Sequence, residues 1–292
     1  MPERPRTPFD SRTADLAVLA PWLLELVRTA RGLVRAYLPG GPVDARTRER
    51  VILAVTEVNG CRYTAWVHSS WAAFLGDDVE DPADAEAALL DHARSCAEAG
   101  RPLDVGALTA VLPPEAVAVV RATIAEVEVS NLVGNTVDGL LATLTGRRPF
   151  APLRLAGEAV TVAAALPLAM PLVATAAAMR VVSRLAPRLP EVQAPADDDA
   201  NLLVHVLARA VPAYLANAGV RLVALRFPAP VSIGIRAGRS AATIRIGRGR
   251  VAIDNGISPD VLMVLEGDIE PLLQAATGSL VRELAALRLK RD

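Results

Sequence analysis

The sequence predicts two domains, an all-α domain followed by a small α+β domain. Apolar residues recur at spacings of three and four through most of the first 180 residues, which is typical of amphipathic helices. Residues 182–201 then combine three prolines with three consecutive aspartates, a composition that resists packing and indicates a linker. Beyond it, short segments alternate apolar and polar residues, as half-buried strands do. We therefore expect domains at residues 1–190 and 191–292.

The N-terminal domain should consist of helices alone. A first amphipathic pattern is punctuated by Pro21 and stopped by Pro39 and the two glycines after it. Later patterns start after short acidic or polar segments and end at glycine, as helices commonly do. The expected helices cover about residues 14–37, 44–57, 61–75, a segment ending near 100, and 115–145 closed by Gly146.

The run from Ala159 to Met179 contains no charged residue, and its length equals what a helix needs to cross a bilayer. It is rich in alanine, contains Pro167 and Pro171, and lacks flanking aromatic residues, all of which favour a helix pair or kinked helix buried in protein. A spanning or interfacial segment is the alternative. Because the N-terminus lacks the apolar core of a secretory signal, a cytoplasmic location is the default expectation.

In the C-terminal domain, a helix at about 199–218 should precede strands in GVRLVALRF, SIGIR, AATIRIG and RVAIDNG. Ile244 and Ile246 point to one side of their strand, and Gly247 and Gly249 permit the turn into the next, so a hairpin is expected. A closing helix near 269–288 would complete the unit.

Composition excludes several functions. The 31 Lys and Arg nearly cancel the 32 Asp and Glu, so no overall field attracts nucleic acid or an anionic membrane. Only 3% of residues are aromatic, which disfavours a base-stacking surface and leaves no expected nucleic-acid partner. With two cysteines and three scattered histidines, neither a disulfide scaffold, a metal site nor a cofactor is expected.

The segment NGCRYTAWVH, residues 59–68, carries the candidate chemistry. If Asn59 caps the following helix, Cys61 lies in its first turn, where the helix dipole and the neighbouring Arg62 favour the thiolate. Cys61, Thr64 and His68 stand at i, i+3 and i+7 and share one helical face. Cys96 is expected to be a packing residue, with a resolving thiol as the alternative.

Glu49 lies along a largely apolar stripe of the preceding helix, where a carboxylate needs a partner. One solution is that Glu49 orients His68 while His68 takes the proton from Cys61, an arrangement of nucleophile, base and orienting group. Each residue also has a structural alternative: a buried cysteine that packs, a histidine with satisfied hydrogen bonds, and a glutamate that answers a helix dipole.

Glu49, Cys61 and His68, together with Asn59 and Tyr63, resemble the active-site motif of the alkylhydroperoxidase D-like and carboxymuconolactone decarboxylase superfamily. The resemblance implies an all-helical domain, commonly a trimer or hexamer, with a glutamate twelve residues before a Cys-x-x-Cys and a histidine four residues after it. Thr64 stands where the peroxidases of that family have the second cysteine. A two-cysteine cycle is therefore missing a thiol, and turnover would need an external thiol reductant or Cys96.

The segment from RIGRGRVAIDNG to IEPLLQAATG resembles a sterol carrier protein-type lipid-binding domain, which implies a sheet and helices around an apolar tunnel. Val261, Met263 and Leu265 alternate as a tunnel wall would, and equally as any half-buried strand would. Two functions follow. One is an alkylhydroperoxidase-like thiol oxidoreductase, either active or degenerate, that acts on a hydrophobic molecule or lipid. The other is a non-catalytic, oligomeric lipid-binding or sterol-binding protein.

Overall fold

The computed structural model describes residues 13–14, 16–38, 41–76, 84–110, 112–196, 198–226, 229–247, 249–267 and 288–290. Contacts between residues divide the chain into two compact units. The N-terminal unit comprises Met1–Ala72 and Asp78–Arg180, and the C-terminal unit comprises Ala73–Asp77 and Val181–Asp292. A helical region is thus followed by an α+β region, as the sequence predicted.

The helical region contains eight helices within the described residues. They are α1 (Leu16–Arg28), α2 (Ala30–Tyr37), α3 (Ala45–Asn59), α4 (Arg62–Leu75), α5 (Asp84–Ala99), α6 (Gly106–Thr109), α7 (Pro114–Leu144) and α8 (Pro152–Leu185). The long helix α7 packs against α1, α2 and α3, and α5 packs on α3. Their apolar faces form one core that includes Trp22, Ile52 and Leu132.

The first predicted helix is in fact two helices, and this part of the prediction is wrong. Pro21 lies inside α1 and does not interrupt it, whereas the break falls at Thr29. The hydroxyl of Thr29 donates to the carbonyl of Glu25 at 2.7 Å, a local bond that competes with regular helix. Farther along, Gly146 follows α7 with φ 73°, the left-handed conformation that a helix-ending glycine supplies.

Residues 159–179 lie in helix α8 and show the kink that the sequence predicted. The segment is bent, by 56° between Pro152–Pro167 and Ala169–Leu185, but it is not buried within the single chain. Of its described side chains, Ala176 alone is buried, while Val160 and Met170 are 69% and 57% exposed. Pro167 and Pro171 explain the bend because each removes a backbone donor. Burial in an oligomer stays a prediction.

No single helix within the described residues is long and apolar enough to cross a bilayer. Two bent pairs of segments reach that length and composition together: the two halves of α8, and Leu202–Leu215 with Ala218–Leu225 at 106°.

In the part of the C-terminal unit that the structure describes, six strands form a mixed sheet. The elements of this unit are β1 (Val192–Gln193), α9 (Leu202–Leu215), α10 (Ala218–Leu225), β2 (Val231–Ala237), β3 (Ser240–Gly247), β4 (Arg250–Asn255), β5 (Met263–Gly267) and β6 (Arg288–Lys290). The strand order is β1-β4-β3-β2-β5-β6. The expected hairpin is β3-β4, with Gly247 opposite Arg250. Helix α9 packs on the sheet through a core that includes Leu203, Leu207 and Ile253.

Two predictions for this unit are wrong. The segment GVRLVALRF was expected to be a strand, but α10 covers most of it, capped by the Asn217 side chain, which accepts from the backbone of Gly219 and Val220. Ala218 and Leu225, seven residues apart, are both buried on one helical face. A short apolar run is compatible with the periodicity of a helix and with that of a strand, so the sequence alone did not distinguish them. The presumed linker also contributes to structure, because α8 extends to Leu185 and Val192 pairs with Val251. The helix expected near 269–288 falls almost wholly outside the described residues.

Candidate active site

The turn between α3 and α4 positions the candidate thiol. Helix α3 begins after Asp44, whose carboxylate accepts from the backbone of Arg46 and Thr47. It ends at Asn59, and Gly60 reverses the chain with φ 66°. Cys61 therefore stands immediately before α4, and its carbonyl accepts from the amide of Ala65. Asn59 does not cap α4 as expected, because it is still the last residue of α3.

The strongest feature of the site is a buried pair between α3 and α4. Nδ1 of His68 lies 2.6 Å from Oε2 of Glu49, and the two residues are 8% and 0% exposed. A carboxylate at Nδ1 holds the ring in the tautomer that leaves the Nε2 lone pair free, which is how a histidine base is oriented. The direct contact between Glu49 and His68 is what the sequence led us to expect.

Arg48 supplies the charge that makes the buried Glu49 carboxylate tolerable. Its Nε and Nη2 donate to Oε1 of Glu49 at 3.2 and 3.0 Å, so one oxygen serves Arg48 and the other serves His68. Arg48 is itself only 7% exposed. Its Nη1 donates to the carbonyl of Ala36, and its guanidinium carbon lies 4.5 Å from the centre of the Tyr37 ring. Contacts with helix α2 thus hold Arg48 in position, and Arg48 in turn holds the carboxylate of Glu49.

A second carboxylate, that of Glu126 on α7, lies near this pair. It accepts hydrogen bonds from the Tyr37 hydroxyl at 3.1 Å and from Ser130 at 3.2 Å. Burial raises the pKa of the Glu126 carboxyl and the nearby Glu49 carboxylate reinforces the rise, while the two hydrogen bonds from Tyr37 and Ser130 oppose it. The pKa of Tyr37 is also raised, first by burial and second by the negative charge of Glu126. Tyr37 therefore remains a hydrogen-bond donor across the ordinary pH range.

Cys61 does not contact His68. Its side chain is 1% exposed, and its Sγ lies 3.3 Å from Oγ1 of Thr64. Gly134 of α7 makes room for the sulfur, since a Cβ at that position would lie 2.5 Å from Sγ. Arg62 was expected to bring positive charge to the thiol, but its guanidinium instead donates to Asp138 and Tyr63. In sequence, Thr64 lies between them, three residues after Cys61 and four before His68.

Cys96 belongs to the hydrophobic core and not to this site. It is 2% exposed and lies in the cluster formed by α1, α3, α5 and α7. Nε2 of His92 lies 3.5 Å from its Sγ. Burial raises the pKa of the Cys96 thiol above its ordinary value, which makes the thiolate scarce at neutral pH.

We therefore expect iodoacetamide to alkylate Cys61 before Cys96 in the native protein. The raised pKa of Cys96 shifts its labelling to higher pH, whereas Cys61 lies outside the core cluster that holds Cys96, immediately before α4. Mass spectrometry of the two cysteine-containing peptides, sampled over time at several pH values, measures both rates. Equally slow labelling of the two thiols would argue against a working Cys61.

Sequence reasoning missed several residues of this region, namely Arg48, Tyr37, Glu126 and Gly134. Only the sequence of α7 contained an indication of such residues, because the segment SNLVGNTVDG places polar residues and glycines inside a long helical pattern. Among the described residues, no three His, Cys, Asp or Glu side chains are grouped in a way that could hold a metal ion.

Comparisons with known protein families, characterised proteins and solved structures find no match for this chain. Function must therefore be inferred from the site itself. Its geometry provides an oriented imidazole base, a buried counter-charge and a thiol beside the same helix, which together suit proton transfer coupled to thiol chemistry.

Proposed function

We propose that this chain is an alkylhydroperoxidase-like thiol oxidoreductase with a single reacting thiol, Cys61. The observation that carries the proposal is the buried hydrogen bond between His68 Nδ1 and Glu49 Oε2 at 2.6 Å. A histidine held in this way is oriented for proton transfer. Cys61 precedes the same helix, and the motif resembles that of the alkylhydroperoxidase D-like superfamily.

The reaction begins when the sulfur of Cys61 attacks the outer oxygen of a hydroperoxide. An S–O bond forms and the O–O bond breaks, so sulfur loses two electrons and becomes a sulfenic acid. The leaving alkoxide takes up the proton that the thiol lost and departs as an alcohol. His68 is the base that takes up this proton and returns it to the alkoxide, and Thr64, 3.3 Å from Sγ, lies one turn before it on α4.

The catalytic cycle is completed by external thiols. Thr64 cannot form a disulfide with Cys61, so one thiol condenses with the sulfenic acid and releases water, and a second thiol reduces the mixed disulfide. The sum is one hydroperoxide and two thiols converted to one alcohol, one water and one disulfide. The C-terminal unit, whose sequence resembles a sterol carrier-type domain, would bind a lipid or another hydrophobic molecule.

The test measures consumption of cumene hydroperoxide with dithiothreitol as reductant. Cys61→Ser should abolish turnover. His68→Asn keeps a donor for Glu49 but loses the base, and should slow turnover by about 10²–10⁴-fold. Cys96→Ala is the control and should retain the wild-type rate. Thr64→Cys should form a disulfide with Cys61 and raise turnover, because positions i and i+3 at a helix start can be bridged.

The Thr64→Cys variant also provides the contrary outcome. If mass spectrometry detects the disulfide between Cys61 and the introduced thiol but turnover does not exceed that of the wild type, the site has lost more than one thiol. The peroxidase proposal should then be dropped.

The second candidate is a non-catalytic, oligomeric lipid-binding protein. It is favoured by the 1% exposure of Cys61 and by the apolar side chains that α8 leaves exposed, among them Leu153 at 91%, which a second subunit would cover. In that case Glu49, Arg48 and His68 are a structural network. Neither the wild type nor Thr64→Cys would then consume hydroperoxide.

A further inference from the structure

Beside Cys61, the structure contains buried amide groups for which the proposed reaction has so far given no role. Asn59 and Asn131 are 4% and 0% exposed. Within the described part of the chain, neither polar atom of the Asn59 side chain has a hydrogen-bond partner, and Nδ2 of Asn131 has none either. Buried amides without partners cost folding free energy of about 1–3 kcal/mol each. Two of them at one junction of three helices indicate a place built for a ligand.

Contacts from one stretch of α7 reach both the segment that carries Asn59 and the thiol of Cys61. Nδ2 of Asn135 donates to the carbonyl of Asn59 at 3.1 Å, and the adjacent Gly134 is the residue that approaches Sγ of Cys61. One turn earlier on α7, Oδ1 of Asn131 accepts from the hydroxyl of Thr56 at 3.3 Å. The turn that carries Asn59 and Cys61 is therefore seated on residues 131–135 of α7.

The unused hydrogen-bonding groups match a particular chemistry. Two amide NH₂ groups, one on each asparagine, are donors, and Oδ1 of Asn59 is an acceptor. A hydroperoxide group has lone pairs on both oxygens and one O–H to donate. An isolated carboxylate would leave the acceptor unused, and an alkyl group would leave all three atoms unused.

We propose that Asn59 and Asn131 form the binding site for the hydroperoxide group, holding its oxygens against Sγ of Cys61. The proposal rests on the proposed function and adds a substrate-binding site to it. The amide donors stabilise the charge that develops on oxygen as the O–O bond breaks, in the way that an oxyanion hole does. Sulfur supplies the electron pair for the new S–O bond, the alkoxide leaves with the broken O–O pair, and the proton of the thiol ends on it.

The experiment compares two reactions of the same thiol in the full-length protein. The wild type and Asn131→Leu are treated with cumene hydroperoxide or hydrogen peroxide, and the sulfenic acid of Cys61 is trapped with dimedone and quantified in its peptide. In parallel, Cys61 is alkylated with iodoacetamide. We expect oxidation of Asn131→Leu to be at least about tenfold slower, while alkylation, which reports access to the thiol, is unchanged.

Two further variants separate binding from folding. Thr143→Val is the matched control, since its hydroxyl is buried on the same helix but donates within it to Gly139; it should oxidise at the wild-type rate. Thr56→Val/Asn131→Leu removes both partners of the one hydrogen bond that Asn131 makes, so it should fold at least as stably as the wild type and oxidise as slowly as Asn131→Leu.

The outcomes are distinguishable. If the wild-type Cys61 is oxidised but Asn131→Leu is oxidised equally fast, the binding site is refuted while the proposed function stands. The site is also refuted if oxidation and alkylation fall together, because the change then acts on access to the sulfur. If neither hydroperoxide oxidises the wild-type Cys61, the proposed function itself fails.

Discussion

Replacing Glu49 with alanine is expected to lower the free energy of unfolding of the N-terminal unit by about 3–5 kcal/mol. Glu49 is fully buried and holds both Arg48 and His68. Removing it leaves the guanidinium of Arg48, itself 7% exposed, without its charged partner, and a buried unpaired charge is among the costliest defects that one substitution creates. Glu49→Gln keeps hydrogen-bonding groups in place and should cost less, about 1–3 kcal/mol.

The measurement is urea unfolding followed by tryptophan fluorescence. All three tryptophans, Trp22, Trp66 and Trp71, belong to the N-terminal unit, so the signal reports that unit. Glu115→Ala is the control, because its ion pair with Arg35 is exposed and spans 3.8 Å; it should cost less than about 1 kcal/mol. A Glu49→Ala variant as stable as Glu115→Ala would mean that the buried pair contributes nothing.

Replacing Gly134 with alanine should be unfavourable although alanine is the better helix former. The new Cβ would lie 2.5 Å from Sγ of Cys61, and the sulfur can move away only by rotating off its contact with Thr64. We expect the overlap to cost about 1–3 kcal/mol, against a gain of up to about 1 kcal/mol in helix propensity. Gly134→Ala should therefore lower the free energy of unfolding, and it should also alter the reactivity of Cys61.

Two comparisons test whether the steric overlap with Sγ of Cys61 causes the effect of Gly134→Ala: the same substitution at another helical glycine, and a double variant that lacks the sulfur. Gly157 lies inside α8, and a Cβ added there would have nothing within 4 Å, so Gly157→Ala should stabilise the unit by up to about 1 kcal/mol. Adding Cys61→Ala to Gly134→Ala removes the sulfur and should recover the loss, with a coupling energy of about 1–3 kcal/mol in the double-mutant cycle. Additive effects of the two substitutions would contradict the contact.

Much of the local structure could be predicted because it depends on neighbouring residues. Asp44 before an apolar pattern marked the start of α3, and the paired glycines Gly247 and Gly249 marked the hairpin between β3 and β4. The short apolar run that forms α10 is compatible with both a helical and a strand periodicity, and its prediction as a strand was wrong. At residues 159–179 the expected kink is present, but apolar composition indicates only that a surface prefers burial and does not identify the partner that buries it, so burial of this segment stays a prediction.

The sequence alone determined that Cys61, Thr64 and His68 share a helical face and that Glu49 needs a partner, since both follow from spacing along a helix and from the cost of burying charge. Only the tertiary structure decided which other side chains contact Glu49 and Cys61. Arg48 is the chain neighbour of Glu49, and Gly134 and Asn131 lie some seventy residues after Cys61 in sequence. Periodicity specifies the face that a helix buries, but the packing of α2, α3, α4 and α7 against one another specifies which side chains share that interior.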